Sequence, residues 1–143
     1  MKVLCDVNVI LDVLLKRAPF FEDSYKICKL GELWVIKIYV SAISIDTLAY
    51  VLKRNWIAFF KIKDVLSYLT DIAEIAIVDK LVIKQALNSQ FKDLEDAIQC
   101  FSATKNSCDV IVTRNAEDFN MCKNVNVLSP SDFIKILVDK RNK

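Results

Sequence analysis

The sequence predicts an α/β protein: a three-layer α/β/α sandwich around a mainly parallel sheet of four to five strands. Three observations carry that expectation. Short β-branched runs alternate with longer segments of helical spacing along the 143 residues. The runs are apolar on both faces, as strands covered by helices on each side must be. No linker, repeat or low-complexity stretch divides the chain, so residues 1–143 are expected to form one domain.

The first strand is KVLC, residues 2–5. Asn8 can cap a helix that carries Val9, Leu11, Leu14 and Leu15 and ends near Lys16–Pro19. A second helix is expected over Phe20–Leu33, broken at Gly31 or just after. IKIYVSA (36–42) is β-branched and aromatic, hence a strand. Ser44 can cap a helix through Leu52–Arg54, and Asn55 can interrupt it before an aromatic-rich helix over Trp56–Leu69. IAIV (75–78) reads as the third strand, and Asp79 can cap the helix DKLVIKQALN (79–88). After a break at Ser89–Lys92 a helix follows over 93–106, then strands DVIVT (109–113) and VNVL (125–128). The last helix opens with SPSD (129–132), a capping box with proline at the first helical position.

Composition removes whole classes of chemistry. The chain has no histidine, which excludes Ser–His and Cys–His pairs, HExxH zinc sites and histidine general bases. It has one glycine, so neither a P-loop nor a GxGxxG dinucleotide turn can form. A hydrophobic content of 54% favours an ordered globule, and no apolar run is long enough to span a bilayer, so a soluble protein is expected. A net charge of +2 provides no global field for a polyanion. Local basic patches remain at Lys16/Arg17, at Lys53/Arg54 with Lys61 and Lys63, and at Lys140/Arg141/Lys143; a solvated face is the plainer reading of each. The five cysteines are odd in number and contain no CxxC pair, which with no secretory signal implies free thiols and a reducing cytoplasm.

What is left is carboxylates, hydroxyls, amides and amines. In open parallel sheets the functional crevice lies beyond the carboxyl ends of the strands. Asp6 stands at the end of the first strand, Asn115 and Asp118 follow the fourth, and Asp93 and Asp96 open a helix. Convergent carboxylates without counter-charges repel, and so favour a proton or a bound cation. A hard divalent ion such as Mg²⁺ or Mn²⁺ takes oxygen ligands, activates water and stabilises charge on a phosphoryl oxygen. Helix capping competes with this reading: Asp93/Asp96 and Asn115/Asp118 both have N-cap and N3 spacing. Asp6 resists it, because Asn8 can serve the helix start.

The segments LCDVNVILDVLL (4–15), SAISIDTLAYVLKR (41–54), FKDLEDAIQCFSA (91–103) and DVIVTRNAEDF (109–119), in that order, resemble a PIN domain of the branch of VapC-type toxin nucleases. The resemblance implies an α/β/α fold and Mg²⁺- or Mn²⁺-dependent cleavage of RNA by three or four acidic residues. Asp6 matches the first acidic position and Asp96 the third, with Asp93 one turn earlier as support. The fourth falls at Asn115, where the family often has Asp, and Asp118 matches a frequently acidic neighbour. The second, usually Glu, falls on Thr47, with Asp46 beside it but about a hundred degrees around the helix. Asn8 matches a polar position that hydrogen-bonds near the metal. The implied catalytic set is therefore Asp6, Asp96 and Asp118, with Asn115 joining them as metal ligands. Neutral Thr47 and Asn115 weaken the field that would hold an ion.

The resemblance also implies a small antitoxin protein and a homodimer as partners. The face of 56–69 that carries Trp56, Phe59, Phe60 and Tyr68 could meet either, with core packing as the alternative. Two functional readings stay side by side: a metal-dependent endoribonuclease, or a PIN-fold module that binds RNA or a protein without cutting. A phosphoacceptor domain, in which Asp79 would have to serve, is a third.

Overall fold

The computed structural model describes residues 1–143. Its strands are β1 (Lys2–Cys5), β2 (Lys37–Ser41), β3 (Ala73–Ala76), β4 (Val110–Val112) and β5 (Asn126–Leu128). They form one sheet in the order β3-β2-β1-β4-β5, with every neighbouring pair parallel. The helices are α1 (Val7–Leu14), α2 (Phe21–Glu32), α3 (Ala42–Arg54), α4 (Phe59–Ile72), α5 (Lys80–Leu87), α6 (Leu94–Lys105) and α7 (Pro130–Arg141). A single 3₁₀ turn spans Ala116–Phe119. The predicted α/β class and the order of its elements are those observed.

Alternation along the strands sorts the layers. Val3, Cys5, Ile38, Val40, Val110 and Val112 point to one face and bury themselves against α1, α2, α3, α4 and α7. Leu4, Tyr39 and Ile111 point to the other, where α6 and the 3₁₀ turn cover them. α5 packs on α6 through Val82, Ala86, Ala97 and Ile98. Both faces are thus dry, which is why the strands read as continuous apolar runs.

Helix starts differ from the residue-type expectations in an instructive way. Asp79, Asp93 and Ser129 do cap α5, α6 and α7, each side chain accepting from the amide three residues on. α1 begins at Val7 with Asp6 in the N-cap position, so Asn8 lies inside the first turn. Likewise α3 begins at Ala42 after Ser41, and Ser44 is buried within it. In both cases the strand passes into the helix with no loop, so an extended residue at the strand's end, Asp6 just after β1 and Ser41 as the last of β2, takes the cap position. β3 lies two residues earlier than the Ile/Val run suggests, because as an edge strand its register is set by β2, with Ile38 opposite Ala73. α4 starts only at Phe59, and Trp56 sits before it at φ 63°.

Non-glycine residues also take the left-handed positions after α1, α2 and α6: Lys16, Trp34 and Ser107. The only glycine is spent elsewhere. Gly31 lies inside α2, one residue before its end, and a Cβ there would overlap the Ile38 side chain of β2.

Two further expectations change. Cys100 and Cys122 form a disulfide that joins α6 to the segment after the 3₁₀ turn, so only Cys5, Cys28 and Cys108 are free thiols. Spacing alone could not reveal it, since the fold brings their Cα atoms to 5.8 Å. The aromatics of 56–69 are not core: Trp56 is 96% exposed, Phe59 70% and Phe60 65%. No helix is long and apolar enough to cross a membrane.

Gly31→Val should cost about 1–3 kcal/mol through overpacking at the α2–β2 contact. Urea unfolding measures it, and adding Ile38→Val, which removes the clashing Cδ1, should recover part of the loss. A Gly31→Val protein as stable as the wild type would refute the close-approach argument.

Candidate functional site

The strand order reverses direction between β1 and β4, and a crevice opens where their carboxyl ends separate. Asp6 follows β1 at that point and is 4% exposed. Its amide donates to the Val112 carbonyl at 3.0 Å, extending the β1–β4 pairing by one residue. The side chain makes no cap bond to α1. Instead Oδ1 accepts from Gln99 Nε2 at 3.0 Å and Oδ2 from Thr113 Oγ1 at 2.7 Å. Thr113 Oγ1 in turn accepts from the Asn115 amide at 3.0 Å, which aligns the chain leaving β4. Gln99 and Thr113 are fully buried, and neither was identifiable from the sequence as part of the site.

A cleft of about 250 Å³ opens over Asp6 and is lined also by Asn8, Thr47, Asp93, Glu95, Asp96, Asn115 and Asp118. Asp93, Asp96 and Asp118 continue into an adjoining recess beside Lys92 and Glu117. The structure therefore gathers seven of the eight sequence-selected residues: Asp6, Asn8, Thr47, Asp93, Asp96, Asn115 and Asp118. Asp46 is the exception, exposed on α3 outside the lining. Asp93 also serves as a cap, its Oδ1 accepting from the Asp96 amide at 3.1 Å. Asn115 makes no side-chain cap bond to the 3₁₀ turn, so its amide group remains available to the cleft. Asp79 is occupied in capping α5 and pairing with Lys105, far from a phosphoacceptor's role.

Glu95 is the acid that sequence reasoning passed over. It is half-buried, lines the cleft, and its Oε2 lies 3.5 Å from Thr47 Oγ1, a long hydrogen bond. Its adjacency to Asp96 in FKDLEDA was the only available signal. Helical geometry argues that neighbours diverge by about 100°, but a cleft wrapping the first turn of α6 admits both.

Electrostatically the cleft is one-sided. None of Asp6, Asp93, Glu95, Asp96 or Asp118 has a Lys or Arg within ion-pair distance. Burial, and then the charges of Asp93, Asp6, Asp118 and Glu95, push the Asp96 carboxyl up to about 7. Burial, then Asp6 and Asp93, raise Glu95 as well, against the hydrogen bond from Thr47. No three acidic side chains approach closely enough to enclose one ion directly.

A family model described as PIN domain matches residues 2–117. The chain belongs to the PIN domain family. No curated protein matches it. Among solved structures, a chain from "VapBC2 from Rickettsia felis bound to a DNA fragment from their promoter" superposes with a TM-score of 0.67, at 14% identity, over 90% of this chain and 98% of that one. A chain of a toxin–antitoxin complex from Klebsiella pneumoniae superposes with a TM-score of 0.66, at 19% identity, over 90% of this chain and 97% of that one. At these identities the likeness establishes the fold alone: this PIN domain shares the architecture of a chain from each of those two complexes.

The raised Asp96 carboxyl makes a pH prediction for the metal-free PIN domain. The folded state binds this proton more tightly than the unfolded chain does, since the pKa moves from 3.8 to about 7. The stability from that protonation is full below the unfolded value of 3.8, falls progressively as the pH rises, and is gone above about 7. In chelator, the wild-type Tm should rise as the pH falls from about 8 to 5. Asp96→Asn should raise Tm at pH 8 and flatten the slope, with a residue left from Glu95. Identical slopes in the two proteins would refute the electrostatic account.

Proposed function

We propose that this PIN domain is a Mg²⁺- or Mn²⁺-dependent endoribonuclease, the toxin of a toxin–antitoxin pair. The observation that carries the reading is the uncompensated negative charge over Asp6, at the carboxyl edge of the sheet, in a chain of the PIN family. The donor set is all oxygen and free of paired cations, which suits a hard ion that keeps several of its waters. Water between ion and carboxylate also reconciles that chemistry with acids spaced too widely to enclose an ion directly. Asp6, Asp96 and Asp118 would hold it, with Asn115 as a neutral oxygen donor and Glu95 adding charge from the Thr47 side. When bound, such an ion supplies a water activated for attack and offsets charge growing on the phosphoryl oxygens.

The chain's own residues do the positioning. Gln99 and Thr113 fix both Asp6 oxygens without cancelling their charge. Ionisation of Asp96, whose carboxyl sits at about 7, completes the negative field at neutral pH. Asn8 and Thr47, also in the cleft lining, offer neutral hydrogen-bonding groups to orient a phosphodiester. The basic patch at Lys53 and Arg54 would meet the flanking strand.

The partner proposal has its own support. A small, mainly apolar groove between α1, α2 and α4, lined by Ile10, Leu14, Cys28, Leu69 and Ile72 with Lys29 and Glu32 at its rim, would take apolar side chains of an amphipathic antitoxin helix. A homodimer would cover exposed apolar residues, Trp56 and Phe59 among them. Free thiols at Cys5, Cys28 and Cys108 fit a cytoplasmic setting, in which the Cys100–Cys122 bond would be the exception.

The neutral residues Thr47 and Asn115 favour the rival reading, a module that binds RNA without cleaving it. Calorimetry with Mn²⁺ and cleavage of single-stranded RNA separate the two. Asp6→Asn and Asp96→Asn should abolish both binding and cleavage. Glu95→Gln and Thr113→Val should each weaken Mn²⁺ binding roughly 10–100-fold. RNA binding without cleavage, unchanged in Asp6→Asn, would establish the rival.

A further inference from the structure

The segment that carries Thr113 and Asn115 is tied to α1 at a second place, by a charge pair the cleft does not use. Asp12 is 0% exposed, more deeply buried than any other acid of the chain. Its Oδ2 lies 3.0 Å from Arg114 Nε, and its Oδ1 lies 4.0 Å from Arg17 Nη1. The Arg114 guanidinium is seated over the Phe20 ring, 4.1 Å from its centroid. Arg114 is flanked in sequence by Thr113, which donates to Asp6, and by Asn115, which lines the cleft.

We infer that Asp12 and Arg114 are positioning residues for the cleft, setting the Thr113–Asn115 segment against Asp6. Stability alone does not call for this pair. Taking two charges out of water costs about as much as their attraction returns, and a packed apolar pair of similar volume is often as stable or more so. What the pair supplies is direction. A guanidinium is a planar fork; here a carboxylate lies 3.0 Å from Nε in charge contact, without the alignment of a hydrogen bond, and an aromatic ring covers one face. Asp6 and Asp12 lie six residues apart on the same stretch, roughly 9 Å along a helix axis. The chain leaving β4 is therefore fastened to α1 at two points, Thr113 to Asp6 and Arg114 to Asp12. The Thr113 amide is also held by the Leu128 carbonyl at 3.0 Å, so the pair acts beyond that bond, limiting rotation of the chain from Arg114 to Asn115. Loss of the second point should let Thr113 and Asn115 move together, and displacements of about 1 Å at a reacting centre can cost about 100-fold in rate.

The kinetic arm of the test rests on the nuclease reading above; the exchange arm does not. In the full chain, the apolar replacement Asp12→Leu/Arg114→Met is compared with wild type by thermal unfolding, amide hydrogen exchange and Mn²⁺-dependent RNA cleavage. A positioning role predicts an unchanged or higher Tm. The Asn115 amide, which donates to Thr113 Oγ1, should exchange roughly tenfold faster or more while core amides such as Ile111 do not change. The kcat should fall roughly tenfold or more with KM within about twofold. Arg114→Lys keeps the charge but loses the Nε contact, and should shift both readouts in the same direction even if the double variant fails to fold. A folded variant with wild-type Asn115 exchange and wild-type kcat would overturn the inference. If the wild type cleaves no RNA, the nuclease reading falls and the exchange comparison alone decides this one.

Discussion

The structure is organised around a buried carboxylate held by neutral donors. Asp6 comes from the start of the chain, Gln99 from α6 and Thr113 from the end of β4, 93 and 107 residues further on. An amide and a hydroxyl satisfy both carboxylate oxygens, yet neither brings a positive charge. Buried acids are ordinarily paired with a cation, which ends their usefulness to any other. Here the negative charge is satisfied geometrically and remains electrostatically open. Every other feature of the cleft follows from keeping that charge near the surface of the sheet while shutting most water away from it.

The two layers contribute unequally to this. Five helices build the larger core on one face, and of these α1 and α3 also lend Asn8 and Thr47 to the cleft. The other face is covered near the site by α6 and the 3₁₀ turn, and these carry the remaining acids. The Cys100–Cys122 bond joins those two walls, so Asp93, Glu95 and Asp96 on one side and Asn115 and Asp118 on the other belong to covalently linked segments. Repulsion among these carboxylates, visible in the raised Asp96, acts against that closure. A cation would relieve it, which couples occupancy of the cleft to the packing of α6 on the sheet.

How far this was legible in the sequence depends on the kind of signal each residue carried. Alternation of strand and helix patterns is spread over many residues, so the parallel sheet and the succession of elements along the chain emerge even where single boundaries slip, as at β3 and Ser44. The side-chain caps Asp79, Asp93 and Ser129 are local signals and were readable. Asp6 was conspicuous because an acid ending an apolar strand violates the local pattern. Gln99, Thr113 and Glu95 violate nothing: each looks like an ordinary polar residue, Gln99 within a helix and the other two at element ends, and only the fold reveals what it faces. The disulfide and the Asp12 pair are of the same sort. Both depend on distances that no spacing rule encodes, between residues that lie 22 and 102 positions apart.

Asp6 and Asp12 together show how one short stretch can give two acids opposite fates. Six residues of helix carry the chain about 600°, so the two side chains leave α1 on different faces. Asp6 faces the crevice at the sheet edge, where the nearest groups are hydroxyl, amide and other carboxylates. Asp12 faces the turn before α2, where Arg17, Arg114 and Phe20 close over it. Arg114 immediately precedes Asn115 of the cleft lining, and Asp12 engages its guanidinium outside the cleft, where it leaves the charge of Asp6 uncompensated. The pair thus directs the backbone at Thr113 and Asn115 and occupies the neighbouring cation, and both effects leave Asp6 available to whatever charge approaches from outside.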